Sequence, residues 1–75
     1  MDWSDFGVAL SRFARNAPVE RTHFLFSSDL DMSSLGFLEF IMFLEEETGI
    51  DIDVDDLDGS IETAGQLFDR LFANP

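Results

Sequence analysis

Ser33 and Ser34 stand side by side at the head of the apolar run LDMSSLGFLEFIMFLEEETGI, residues 30 to 50, and raise the question of what their hydroxyls do. One answer is nucleophilic. The segment MSSLG is half of a Gly-x-Ser-x-Gly elbow, and His23 with Asp29 or Asp31 could complete a triad. The first glycine is missing, however, and the elbow belongs to a large α/β sheet that a chain of 75 residues cannot build. A second set of residues could bind calcium. Asp51, Asp53, Asp55 and Glu62 fall on positions one, three, five and twelve of an EF-hand loop. Position six, normally glycine, is Asp56, and position eight, normally apolar, is Asp58. Ile52, Val54 and Leu57 suit a short packed helix better than an open ion loop, so loose divalent binding is the stronger expectation. The absence of Cys and the single His exclude thiolate and multi-histidine zinc sites.

These residues need elements to hold them. Asp2 can cap a first helix with Asp5 in its first turn, and Phe6, Ala9, Leu10, Phe13 and Ala14 recur on one face. Arg12 and Arg15 are expected in its last turns, with residues 16 to 18 (Asn-Ala-Pro) ending it. Residues 17 to 33 show no sustained period. They read as a long loop pinned by Phe24, Phe26 and Leu30. A second helix is expected from Ser34 to Thr48, stopped by Gly49. One short helical turn fits residues 53 to 59, near 54 to 58. Thr63 to Gln66 makes a capping box ahead of Ala64, Leu67, Phe68, Leu71 and Phe72 on one face. No segment alternates long enough for a sheet. The expected fold is all-α: three longer helices, a short third one and a long first loop, in a single domain over residues 1 to 75.

The second helix carries more apolar surface than folding requires. At a helical step, Phe37, Phe40, Ile41 and Leu44 share an arc about 100° wide, the width of a core-facing stripe. Leu35, Leu38 and Met42 fall roughly opposite. Glu39 lies beside this second arc, and Glu45 and Glu46 flank it one turn on. Apolar residues rimmed by carboxylates read as a docking surface for a partner.

Composition narrows the partners. Sixteen acidic residues against four arginines and no lysine give a net charge of −12, a field that repels nucleic acid and anionic lipid. Proteins with basic patches are favoured. Nine Phe and one Trp supply the large apolar area that a short chain needs to offset its ordering entropy. The longest apolar run, Phe40 to Leu44, is too short to cross a membrane, and no basic region precedes a long apolar run at the N-terminus. A cytoplasmic monomer is the expectation.

From Phe24 to Leu71 the chain resembles the acyl carrier proteins. That family has a serine followed by Leu or Met at the start of its second helix, usually as Asp-Ser-Leu, and FLFSSDLDMSSLGFLEFIMFLEEETGIDI matches the region without a gap. Phe26, Asp29 and Leu30 fall on the family's Phe and Asp-Leu before the motif. Ser34-Leu35 falls on the modified serine and its neighbour, and Glu39, Met42 and residues 45 to 47 fall on the recognition helix. Two departures stand out: Ser33 replaces the family's aspartate, and Asp31 replaces a glycine.

The resemblance implies a small four-helix bundle of acyl-carrier type with a long first loop and a short third helix. It implies a carrier, not an enzyme. A phosphopantetheinyl transferase would attach 4′-phosphopantetheine to Ser34, and the arm would hold acyl or aminoacyl groups as thioesters. A serine at a helix N-terminus sets its phosphodiester beside free N–H groups, while Ser33 can cap the helix. Gly36, small and adjacent, is expected to leave room for the arm. Leu35, Leu38, Glu39, Met42, Glu45 and Glu46 would meet acyl-loading and acyl-transfer enzymes through their basic patches. Fatty acid and polyketide biosynthesis use such carriers alike. An unmodified scaffold domain would share every feature except the state of Ser34.

Overall fold

In a computed structural model the described residues are 1–16, 18–53, 57 and 61–72. They form three helices, α1 (Trp3–Ser11), α2 (Ser34–Thr48) and α3 (Ala64–Phe72), with one isolated antiparallel bridge between Phe24 and Thr63. The all-α class holds, with three helices among the described residues rather than four. The short helix expected near residues 54 to 58 falls outside the described residues apart from Leu57, which packs half-buried against the core.

Each helix starts where a side chain satisfies its free N–H groups. Asp2 Oδ1 accepts from the Asp5 N–H at 2.8 Å. Ser33 Oγ accepts from the Gly36 N–H at 2.9 Å. At α3 the capping box closes in both directions: Thr63 Oγ1 accepts from Gln66 N–H at 3.2 Å, and Gln66 Oε1 accepts from Thr63 N–H at 3.1 Å. Gly49 ends α2 at φ +71°, a left-handed cap that costs glycine nothing.

α1 is shorter than expected. It stops at Ser11, so Arg12 and Arg15 do not occupy its last turn. The N–H groups of Arg15 and Asn16 turn to the Leu30 carbonyl at 3.0 and 3.3 Å, and Asn16 Nδ2 donates to the Ser28 carbonyl at 2.7 Å. The first loop thus takes the donors that a longer helix would have used.

The loop is pinned differently from expectation. Leu30 is buried, but Phe24 and Phe26 are 43% and 51% exposed. Leu25 and Met32 enter the core instead. Successive side chains of an extended segment point to opposite sides. Leu25, beside the Phe24–Thr63 bridge, therefore faces inward between two outward-facing rings.

Phe6 is the hub of the core. Its ring lies 5.4 Å from Phe40 of α2, 5.2 Å from Phe68 and 6.0 Å from Phe72 of α3, and 5.7 Å from Trp3. One side chain thereby joins all three helices. Arg21 fastens the loop to α3: its guanidinium pairs with Asp69 at 2.6 Å and sits 5.2 Å over the Trp3 ring. Gly65 lets the Arg21 carbonyl approach, since a Cβ there would lie 2.9 Å from that oxygen.

Candidate functional site

The head of α2 is held from both sides. Upstream, Leu30 and Met32 are buried, and the Met32 N–H donates to the Leu25 carbonyl at 3.0 Å. Between them Asp31 adopts φ +53°, a left-handed conformation. Ser33 then takes the extended N-cap conformation, with φ −83° and ψ 162°. Its hydroxyl is spent on Gly36 and its carbonyl accepts from the Phe37 N–H at 2.9 Å.

Ser34 is the first residue of the helix and is exposed. Among the described residues its hydroxyl has no hydrogen-bond partner, and nothing accepts from the N–H groups of Ser34 and Leu35. The two adjacent hydroxyls therefore differ in kind. One closes the helix end; the other is free beside unpaired donors at the positive end of the dipole. That donor set suits a phosphodiester on Ser34.

Gly36 has a packing role beside the expected one. A Cβ there would lie 3.1 Å from Ser33 Oγ and 3.5 Å from the Phe13 carbonyl. The missing side chain makes room for the cap and for the chain leaving α1.

The two stripes of α2 separate as their spacing requires. Phe40, Ile41 and Leu44 are buried and Phe37 half-buried, whereas Leu35, Leu38 and Met42 keep 68%, 43% and 63% of their surface. Glu39 and Glu46 are exposed. Glu45 is half-buried, and its Oε2 accepts from the Ile52 N–H at 2.9 Å. That carboxylate braces the segment after α2 and is engaged within the chain.

One feature was not foreseen. A cavity of about 590 Å³ opens between the first loop and the approach to α3, walled by Phe24, Phe26, Phe37, Leu57 and Ile61 with Ser27 and Glu62 also on its lining. The Phe26 and Phe37 rings meet at 5.2 Å. Phe37 stands three residues after Ser34 on α2, so the cavity wall begins on the helical turn that follows the free hydroxyl.

The residues of the rival chemistries take other parts among the described residues. His23 Nδ1 accepts from the Glu20 N–H at 3.3 Å and Asp29 Oδ2 from the Phe24 N–H at 3.0 Å, so both fasten the loop. Ile52, between Asp51 and Asp53, is buried. Asp55 lies outside the described residues. Among the described residues no three metal-ligating side chains converge, and no helix is long and apolar enough to cross a membrane.

Residues 16–71 match the family model described as the phosphopantetheine attachment site. Neither the curated proteins nor the solved structures give a match.

Proposed function

This chain belongs to the phosphopantetheine-attachment family, and from that premise we propose that it carries acyl groups on an arm joined to Ser34. The family holds 4′-phosphopantetheine covalently, and its domains are carriers, not catalysts. When bound, the arm supplies a terminal thiol on which groups are held as thioesters. The observation that carries Ser34 is the division of labour at the helix mouth: Ser33 Oγ caps Gly36 while Ser34 is exposed and unpaired. Loading breaks the Ser34 O–H bond and the pyrophosphate bond of coenzyme A and forms an Oγ–P bond. Adenosine 3′,5′-bisphosphate leaves, and the proton passes to a base on the transferase.

Leu35, Leu38 and Met42, with Glu39 and Glu46, form the surface offered to the transferase and to acyl-handling enzymes. Carboxylates around a small apolar patch favour fast association and release over tight binding, as a shuttle requires. Glu45 contributes charge but is held by Ile52. The cavity beginning at Phe37 is lined mainly by rings and aliphatic side chains, with Ser27 and Glu62 beside them, and this apolar surface supports a cargo with a hydrocarbon acyl chain.

The test is intact mass after incubation with coenzyme A and a broad-specificity phosphopantetheinyl transferase. One arm should be added to the wild-type chain and none to Ser34→Ala. Absence of modification with several transferases would favour the unmodified scaffold.

A further inference from the structure

We propose that Asp31 is a specificity-determining residue for the loading of Ser34, its carboxylate being gripped by a basic side chain of the transferase. The inference rests on Ser34 as the attachment point. Asp31 is the one non-glycine residue with positive φ among the described residues. Asp tolerates that region better than most side chains, yet glycine enters it without cost. The backbone there is fixed by its surroundings rather than chosen by Asp31. Leu30 and Met32 on either side are buried, and the Asp31 N–H donates to the Ser27 carbonyl at 2.7 Å.

The fold therefore asks for a left-handed residue at this point but makes no use of a carboxylate. Among the described residues the Asp31 side chain has no hydrogen-bond or ion-pair partner, and the residue is exposed. Asp29, the nearest other acid, is committed to the Phe24 N–H. From Leu30 to Leu38 Asp31 is the single acidic residue, three positions before Ser34. A left-handed residue that carries an unengaged charge motivates a functional role for that charge. The charge lies three residues before Ser34, on the exposed segment that leads into α2, and an exposed rim charge acts mainly through encounter.

The experiment measures arm transfer from coenzyme A by one broad-specificity transferase, with kcat and KM determined separately, on the full chain. Asp31→Asn keeps a residue suited to positive φ and removes the charge. It should raise KM about three- to tenfold at low salt with kcat little changed, the difference closing in high salt. Asp31→Gly should lose loading efficiency equally while its melting temperature stays level or rises, so lost folding cannot explain the loss. Adding Ser33→Asp to Asp31→Asn, which returns a carboxylate to the same helix mouth, should recover most of the loss. Wild-type kinetics for Asp31→Asn, or no recovery with Ser33→Asp, would overturn the proposal while leaving the Ser34 reading intact. A wild-type chain that accepts no arm overturns both.

Discussion

Replacing Ser33 by Ala separates the cap from the attachment point. The substitution removes the acceptor that holds the Gly36 N–H at 2.9 Å. Loss of a serine N-cap costs about 1 kcal/mol. With an unfolding entropy near 2.1 cal/mol/K per residue, 75 residues give about 0.16 kcal/mol/K, so the melting temperature should fall by about 6 °C. Arm transfer to Ser34 should persist in the folded variant. Gly36→Ala supplies a second arm of the test. A methyl there gains about 0.5–1 kcal/mol in helix propensity, but it would stand 3.1 Å from Ser33 Oγ. In the wild-type background that crowding should cancel the gain. With Ser33→Ala the close neighbour disappears and leaves only the Phe13 carbonyl, an ordinary contact at 3.5 Å, so the same methyl should stabilise. The two positions should therefore couple by about 0.5–1 kcal/mol in a double-mutant cycle followed by thermal circular dichroism. Additive effects, or a melting temperature unmoved by Ser33→Ala, would refute the cap. Loss of modification in Ser33→Ala with Ser34→Ala still modified would move the attachment point to Ser33.

Phe6→Leu keeps an apolar side chain but vacates ring contacts to Trp3, Phe40, Phe68 and Phe72, and should cost about 1–2 kcal/mol in urea unfolding with an unchanged m value. With a net charge of −12, the melting temperature should climb with added salt or millimolar magnesium as repulsion is screened; a flat response would mean that the carboxylates are already well dispersed. Loaded with an octanoyl group, the carrier should melt a few degrees above its acetyl form, since burying a single methylene contributes about 0.8 kcal/mol, or about 5 °C at about 0.16 kcal/mol/K. Phe26→Ala should shrink that difference by opening the cavity wall.

What the sequence determined by itself is local. Helix caps are made by neighbours in the chain, so Asp2, Ser33, Gly49 and the Thr63–Gln66 box could be read directly, and the bounds of α2 followed. Periodicity was equally legible: one arc of α2 is buried and the opposite arc exposed because a helix turns by a fixed step per residue. The placement of Ser34 at the head of that helix follows from the same signals. Tertiary structure decided whatever depended on distant partners. α1 ends early because Leu30, far along the chain, accepts the N–H groups of Arg15 and Asn16. Leu25, and not its two phenylalanine neighbours, is buried because pairing of Phe24 with Thr63 sets which way an extended segment faces. Gly36 is small for Phe13 and the cap, and Glu45 is drawn in by Ile52. The cavity joins residues from the first loop, α2 and the approach to α3, and no local pattern specifies an open hollow lined by separate segments. Spacing along a chain fixes which face a residue occupies; only packing fixes what that face meets.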